Sequence, residues 1–575
     1  MINENFIQGW NILSDSFNDA VKVIKFANNY NINQIQLSHH IVMDLRDVKN
    51  EKNRSLANTL TKVAHENEIN EVLLWDHTLY ELDYYPDKFK LSGKDIKSTN
   101  SNQQQKINLD DPQFWNWVQN DYRKMLNLAP DIDGLVLTFI ETGARAEDQF
   151  SKKMSSKAEK LAKVVNKVTE VVVDEFNLNL YLRIFSYTRS EYKFITKSLE
   201  MVKNDDLPVI MKEAPHDFFL THPNSKYAGK INRPTIIEFD TAGEFNGQGI
   251  IANTWPEYIE KRWSDYKNRP NIKGYVARTD RFNNTRIIGQ PSEINLYALK
   301  QLIENEKNNS ENIYDDFIID KYNNNALSGI KAAFQKSFDI ITSSLYTLGT
   351  NVANHSAMNF EPYSSSYARH VSGKWLDNPE VFVEHNVNEK FHYWKDIIDH
   401  IAPPHLKRKK YFKEEAPEVV ENDWINYQKE LMNWEYFNYI ITEKEYGVKL
   451  AENALENIIK TKPQLNNDQY VSLFHYFNRT LLTTKLYKDV AKAYYGYRIF
   501  ARGKEHRNPQ LLPVIWEGLN GINKVSEQIK NYPVKPPSGQ WNWVSDAQMA
   551  ENIYNKILNG WKEYDYIIVP EPYDY

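Results

Sequence analysis

GLVLTFIETG, residues 134–143, is the stretch on which the fold turns. It follows PQFWNWVQNDYRKMLNLAP (112–130), whose apolar residues recur at helical spacing. It is itself a short, nearly continuous apolar run that breaks at Glu141. A strand apolar on both faces is buried on both faces, which is the condition of a parallel sheet covered by helices. The same couplet of amphipathic helix and apolar strand recurs along the first half of the chain. SFNDAVKVIKFANNY precedes NINQIQLSH (31–39), and SLANTLTKVAHENEIN precedes EVLLWDHTLY (71–80). KAEKLAKVVNKVTEVVVDEF precedes LNLYLRIFSY (178–187), and RSEYKFITKSLEMV precedes LPVIMKEAP (207–215). PTIIEFDT (234–241) follows a loop, and TWPEYIEKRWSDYKN precedes NIKGYVART (271–279). With an opening strand near QGWNIL (8–13) the count is about eight, which predicts an α/β fold: a (β/α)8 TIM barrel over residues 1–311. No strand is followed by Gly-x-Gly-x-x-Gly, which weighs against a dinucleotide site.

Beyond residue 312 strand patterns disappear. IYDDFIIDKY, LSGIKAAFQKSFDIITSSLYTL, ENDWINYQKELMNWEYFNYIITEKEYGVKLAENALENII, YVSLFHYFNRTLLTTKLYKDVAKAYYGYRIFA and QMAENIYNKILNGWKEY read as helices. Residues 312–575 are therefore expected to form an α-helical C-terminal domain, with a long loop region near 350–405 rich in His, Tyr and Trp. The polar stretch LSGKDIKSTNSNQQQKINL (91–109) lacks periodicity and reads as a surface loop after the third strand.

Composition narrows the function. A length of 575 residues and 41% hydrophobic content are enough for two full cores. The 70 basic and 76 acidic residues give a net charge of −6, which argues against a nucleic-acid or anionic-membrane partner. The absence of cysteine excludes disulfides, Cys-ligated zinc and a thiol nucleophile. The first residues, MINENFIQGWNIL, show no basic and apolar leader, and no apolar run is long enough to span a bilayer. The expectation is a cytoplasmic protein. Aromatic residues make up 13%, a surplus that suits sugar-stacking platforms and helix packing equally.

A barrel of this kind keeps its chemistry at the C-terminal ends of its strands. Glu141, Arg183, Lys212, Asp217, Glu244 and Arg278 fall there, with Trp75, Asp76, His77 and the pair His39–His40. Carboxylates, fixed cations and aromatics without a nucleophile elbow suit acid/base chemistry on a polar, anionic substrate. Glycoside hydrolysis needs a protonated acid at the leaving oxygen and a second carboxylate for the nucleophile or water. Each acid alone is explained as well by an ion pair. Glu238 and Asp240 share a strand face by period two and could form a salt-bridge network at the barrel mouth, and Arg183 and Lys212 could neutralise such acids. A glycosidase acting on another sugar, a metal-dependent hydrolase using His39, His40, Asp76 and His77, and a non-catalytic sugar-binding barrel are the other readings.

GLVLTFIETG, YLRIFSY, VIMKEAPHDF, IIEFDTAGEFNGQ and GYVARTD…IGQPSEINLYAL together resemble the α-glucuronidases of glycoside hydrolase family 67 over residues 134–300. The resemblance implies an inverting, metal-free and cofactor-free, exo-acting hydrolase that removes an α-linked uronic acid from oligosaccharides. It implies Glu141 as general acid and Asp217 (in KEAPHDF) with Glu244 (in GEFNGQ) as the base pair. It implies Arg183 and Lys212 as ligands of the sugar carboxylate. Trp75, His77 and Arg278 complete the expected substrate-binding set, with an apolar wall such as Phe139 raising the acid's pKa. A helical C-terminal domain that mediates dimerisation also fits the family. Four departures stand out: Leu137 occupies the position of a substrate-binding Lys, Phe139-Ile140 replaces Asn-Ser, Gly243-Glu244 replaces Gln-Glu at the base, and the family's β-sandwich is not expected ahead of the barrel.

Overall fold

The computed structural model describes residues 6–92, 105–184, 189–214, 217–220, 224–225, 227–282, 285–347, 350–351, 353–358, 434–501, 508–536 and 541–564. The chain forms two compact units, one of Met1–Asp217, Ser225–Asp240 and Ser264–Asn283, the other of Phe218–Asn224, Thr241–Trp263 and Asn284–Tyr575.

The first unit contains a closed barrel of eight parallel strands: β1 (Ile7–Ile12), β2 (Gln34–Leu37), β3 (Glu71–His77), β4 (Gly134–Thr138), β5 (Asn179–Ile184), β6 (Val209–Lys212), β7 (Thr235–Phe239) and β8 (Ile272–Arg278). Each pairs with its successor and β8 closes on β1, so every expected strand is present and in ring order. Helices α1 (Phe17–Ala27), α2 (Glu51–Glu66), α3 (Pro112–Leu128), α4 (Lys157–Thr169) and α5 (Arg189–Leu199) connect them. Their ends are set locally. Asp111 caps α3, where Pro112 occupies the first turn. Ser156 and Glu159 exchange hydrogen bonds as a capping box on α4.

Strand alternation sorts the side chains. Leu73, Trp75, Val136, Tyr181, Ile210, Ile236 and Val276 fill the interior, while Leu74, Leu135, Leu137, Leu182, Met211, Ile237 and Ala277 take the intervening positions, on the helix-facing side. Both sets are buried, which is why the strands read as unbroken apolar runs. At the seam, Gly274 (φ 156°) lets β8 approach β1 closely; a Cβ there would sit 2.2 Å from the Ile7 carbonyl oxygen. Lys90–Leu91 pairs antiparallel with Lys106–Ile107, which closes the base of the polar loop after β3.

The second unit is mostly helical: α6 (Pro256–Tyr266, largely within it), α7 (Ile294–Glu304), α8 (Ser310–Lys321), α9 (Leu327–Phe334), α10 (Ser337–Ser344), α11 (Trp434–Lys460), α12 (Asn467–Ala501), α13 (Leu511–Lys530) and α14 (Trp543–Tyr564). The expectation of no strands here is corrected. Two two-stranded ribbons, Tyr346–Thr347 with Thr350–Asn351 and Ala353–Asn354 with Ala357–Met358, are too short to leave an alternating pattern. Most of the 350–405 region lies outside the described residues. Sequence reading also missed α13, whose Pro513, Gly518 and Gly521 resemble helix breakers. The glycines are there for packing. A Cβ on Gly518 would lie 2.6 Å from backbone atoms of Asp489 and Ala493 on α12, and one on Gly521 would meet the Asp489 carboxylate. The loop after β7 is tied to α12 within this unit. Thr480 Oγ1 accepts from Ala252 N (2.9 Å), Tyr476 OH from Asn253 N (2.6 Å), and Arg479 donates to Ile250 O (3.0 Å). Among the described residues no helix is long and apolar enough to cross a membrane.

Candidate functional site

The C-terminal half of the barrel interior is polar, and its side chains come from positions that alternation turns inward. Glu238 on β7 is its hub and is 1% exposed. Arg183 on β5 reaches it with two nitrogens, Nε to Oε2 at 2.7 Å and NH2 to Oε1 at 3.2 Å. Arg278 on β8 donates to the same Oε1 from Nε (3.3 Å) and NH2 (3.2 Å). Burial pushes the Glu238 carboxyl up, but the guanidiniums of Arg183 and Arg278, with Lys212 in the adjacent strand register, outweigh it and hold the pKa below the ordinary glutamate value. Arg183 also lies over the Trp75 ring, 4.5 Å from its centroid, a desolvated cation–π contact on the order of 2 kcal/mol. Trp75 is oriented in turn by its Nε1–H donating to Gln36 (3.1 Å) and by the His39 ring, 5.0 Å away. Of the residues expected from sequence, the structure thus brings Arg183, Arg278 and Trp75 together around a carboxylate read from sequence only as a possible network member.

Lys212 ends β6 facing inward and donates to Asp217 Oδ1 at 2.8 Å. Asp217 lies five residues past that strand and its side chain is one-fifth exposed. Glu141 sits three residues past β4 and is exposed, whereas Phe139 is buried. The Glu141 side chain is thus open to solvent although Phe139, two residues earlier, is buried. Leu137 occupies a helix-facing position on β4, so the missing Lys at this position removes nothing from the interior.

His77 ends β3 on the interior side. Its Nδ1 bonds Asp44 Oδ1 at 2.7 Å, and Asp44 also receives Arg46 Nε (2.9 Å). Burial pushes Asp44 up, but His77 and Arg46 outweigh it and hold its pKa below the usual carboxylate value. The Asp44 carboxylate on Nδ1 keeps a proton on that nitrogen and leaves Nε2 to face the interior. That Nε2 and the hydroxyl of its register neighbour Thr138 on β4 are buried without a hydrogen-bond partner among the described residues. Asp76 points the other way. It accepts from Tyr122 OH (2.6 Å), Tyr80 OH (2.8 Å) and Leu45 N (3.0 Å), and burial pushes its pKa up to about 6. His77 and Asp76 thus occupy opposite faces of β3, and no three His, Asp or Glu side chains cluster as metal ligands among the described residues.

Glu244 belongs to the second unit, in the loop after β7, with its side chain 8% exposed and Oε1 3.6 Å from His355 Nε2. Neither Glu238 nor His355 was among the expected site residues. Period-two spacing had offered Glu238; no signal in the sequence ties His355 to a residue 111 positions earlier.

No family model and no curated protein matches this chain. Solved structures similar to it include a point mutant of the Thermobaculum terrenum O-GlcNAc hydrolase, at 9% identity over 98% of this chain and 99% of the other, with a TM-score of 0.44. A family 115 4-O-methyl-α-glucuronidase with specificity for decorated arabinogalactans has 7% identity over 96% of this chain, which spans 62% of that protein's length, with a TM-score of 0.46. A family 30 endoxylanase from Clostridium papyrosolvens has 10% identity over 52% of this chain and 72% of the other, with a TM-score of 0.32. Likeness this loose carries no information about chemistry, so what the chain shows is a closed eight-stranded parallel barrel with a helical C-terminal region.

Proposed function

We propose that this protein is an exo-acting glycoside hydrolase that removes a uronic acid from the end of an oligosaccharide by inversion. The observation that carries this reading is the interior row Arg183, Lys212 and Arg278 set around Glu238, with Trp75 beneath Arg183. Two guanidiniums and an ammonium at the C-terminal end of a barrel, with an aromatic surface beside them, are the groups that bind a sugar bearing a carboxylate. His77 Nε2 and the Thr138 hydroxyl supply hydrogen-bonding groups suited to a sugar hydroxyl.

Glu141 is assigned as the general acid and Asp217 and Glu244 as the carboxylates that activate water. Proton donation to the glycosidic oxygen lets the leaving sugar depart neutral, while a base takes the proton of the attacking water. Lys212 orients the Asp217 carboxylate by a charge-assisted hydrogen bond. The test is incubation with a panel of oligosaccharides ending in α-linked uronic or neutral sugars. Release of free uronic acid is the expected result. Release of neutral sugars alone would overturn the substrate assignment, and binding without product would favour a sugar-binding protein.

A further inference from the structure

The loop carrying Glu244 is held more tightly than a connection requires. Gly243 (φ 73°), Gly247 (98°), Gln248 (50°) and Gly249 (70°) all lie in the left-handed region. A Cβ on Gly247 would come within 2.3 Å of the Ile251 side chain, so a larger residue does not fit there. Against this loop, within the same unit, lies the ribbon of Ala353–Asn354 and Ala357–Met358. Its two turn residues, His355 (φ 47°) and Ser356 (φ 73°), both take the left-handed conformation of a type I′ turn, where Asn and Gly are the usual occupants. Two unfavourable residues at such a turn call for a contact that holds them there.

These turn residues make contacts to the Glu244 loop. Ser356 Oγ accepts from Gly247 N (2.8 Å) and donates to the Glu244 carbonyl oxygen (2.9 Å). The His355 carbonyl accepts from Gln248 Nε2 (3.0 Å). The His355 ring stacks on Phe245, with centroids 5.1 Å apart and planes 25° from parallel. Its Nε2 lies 3.6 Å from Glu244 Oε1, within ion-pair range and just beyond hydrogen-bond length. The other end of the ribbon is anchored where Met358 N donates to Asp546 on α14 (2.9 Å).

We infer that His355 is a positioning residue for Glu244. Ser356 fixes the backbone of the acid, Phe245 fixes the imidazole, and the imidazole fixes the carboxylate. The inference rests on the proposed role of Glu244 in activating water, and it adds a residue contributed by a separate ribbon of the second unit.

A double-mutant cycle tests it, with kcat, KM and thermal midpoint measured on an oligosaccharide ending in an α-linked uronic acid. His355→Asn is suited to the turn, because Asn tolerates positive φ and retains the carbonyl acceptor. It is expected to lower kcat at least tenfold with KM within about twofold and the midpoint preserved. In the Glu244→Gln background the same substitution is expected to cost nothing further, since its effect passes through the carboxylate. His355→Phe keeps the ring over Phe245 and removes only the nitrogens, and it must lose the same kcat. Wild-type kcat in either His355 variant, or an equal loss in the Glu244→Gln background, overturns the inference alone. Wild-type turnover in Glu244→Gln overturns the role of Glu244 and the inference with it.

Discussion

Two buried glutamates face the inside of the same barrel and are held in opposite ways. Glu71, at the start of β3, is bonded among the described residues by neutral groups: Gln34 Nε2 (2.6 Å), Asn179 Nδ2 (2.6 Å) and Tyr181 OH (2.9 Å). Burial dominates there and pushes its pKa up. Glu238, at the other end of the interior, is bonded by two guanidiniums and its pKa is pulled down. Residue type and burial are nearly the same; what differs is the company each carboxyl keeps. The start of the barrel is plugged with amides and a phenol around Glu71. The end of the barrel concentrates fixed charge in a low-dielectric interior, which is expensive for folding and useful for recognising an anion.

Substitutions can break or sharpen this contrast, and the largest effect is expected at the acid beside the charged end. Glu141→Gln should lower kcat by about 10²–10⁴-fold on natural oligosaccharides. The loss should be much smaller on an aryl glycoside whose leaving group needs no proton. Steady-state kinetics on the two substrates checks this, and near-wild-type turnover on the natural one would remove Glu141 from the acid role.

Next comes the hub. Glu238→Gln leaves Arg183 and Arg278 buried against a neutral amide and should cost about 3–5 kcal/mol in unfolding free energy, read by urea titration. Glu71→Gln should cost less, about 1–3 kcal/mol, because its new NH2 group faces donors rather than charges. Turnover per folded molecule should be unchanged in Glu71→Gln; a fall in kcat there would show that the two ends of the interior are not functionally distinct.

The smallest effect is in the pH dependence, and its sign differs between the two sites. The pKa of Glu238 is depressed on folding, so its contribution to stability is present above the ordinary glutamate range and is lost as pH falls below it. The pKa of Glu71 is raised, so its contribution is present at acid pH and is lost as pH rises through the folded value. Relative to wild type, Glu238→Gln should therefore look less destabilised in acid and Glu71→Gln more so. Unfolding midpoints from pH 3 to 8 check both signs, and parallel curves would contradict the assignment of charge.

The sequence made the barrel legible because a parallel strand must be apolar on both faces, and the helices between strands carry a clear period. It hid α13 because Gly518 and Gly521 serve helix-to-helix contact with α12 and look like breakers when read alone. The charged end was legible only in part. Arg183, Lys212 and Arg278 stood at strand ends, and Glu238 was visible by period two as a candidate network member. That Arg183 and Arg278 converge on Glu238 depends on strand register across 55 and 40 residues, which no local pattern encodes. Asp44, the partner of His77, comes from a loop and left no signal. Glu141 was readable as a position but not as an environment, since the expected apolar wall of Phe139 is buried away from an exposed carboxyl.

The most direct test of the account is proton NMR of a reaction in which the enzyme meets an oligosaccharide ending in an α-linked uronic acid. The account predicts free uronic acid appearing first as the β-anomer, then mutarotating. First appearance of the α-anomer would contradict inversion, and no release after prolonged incubation with enzyme that binds the oligosaccharide would contradict the glycoside hydrolase reading itself.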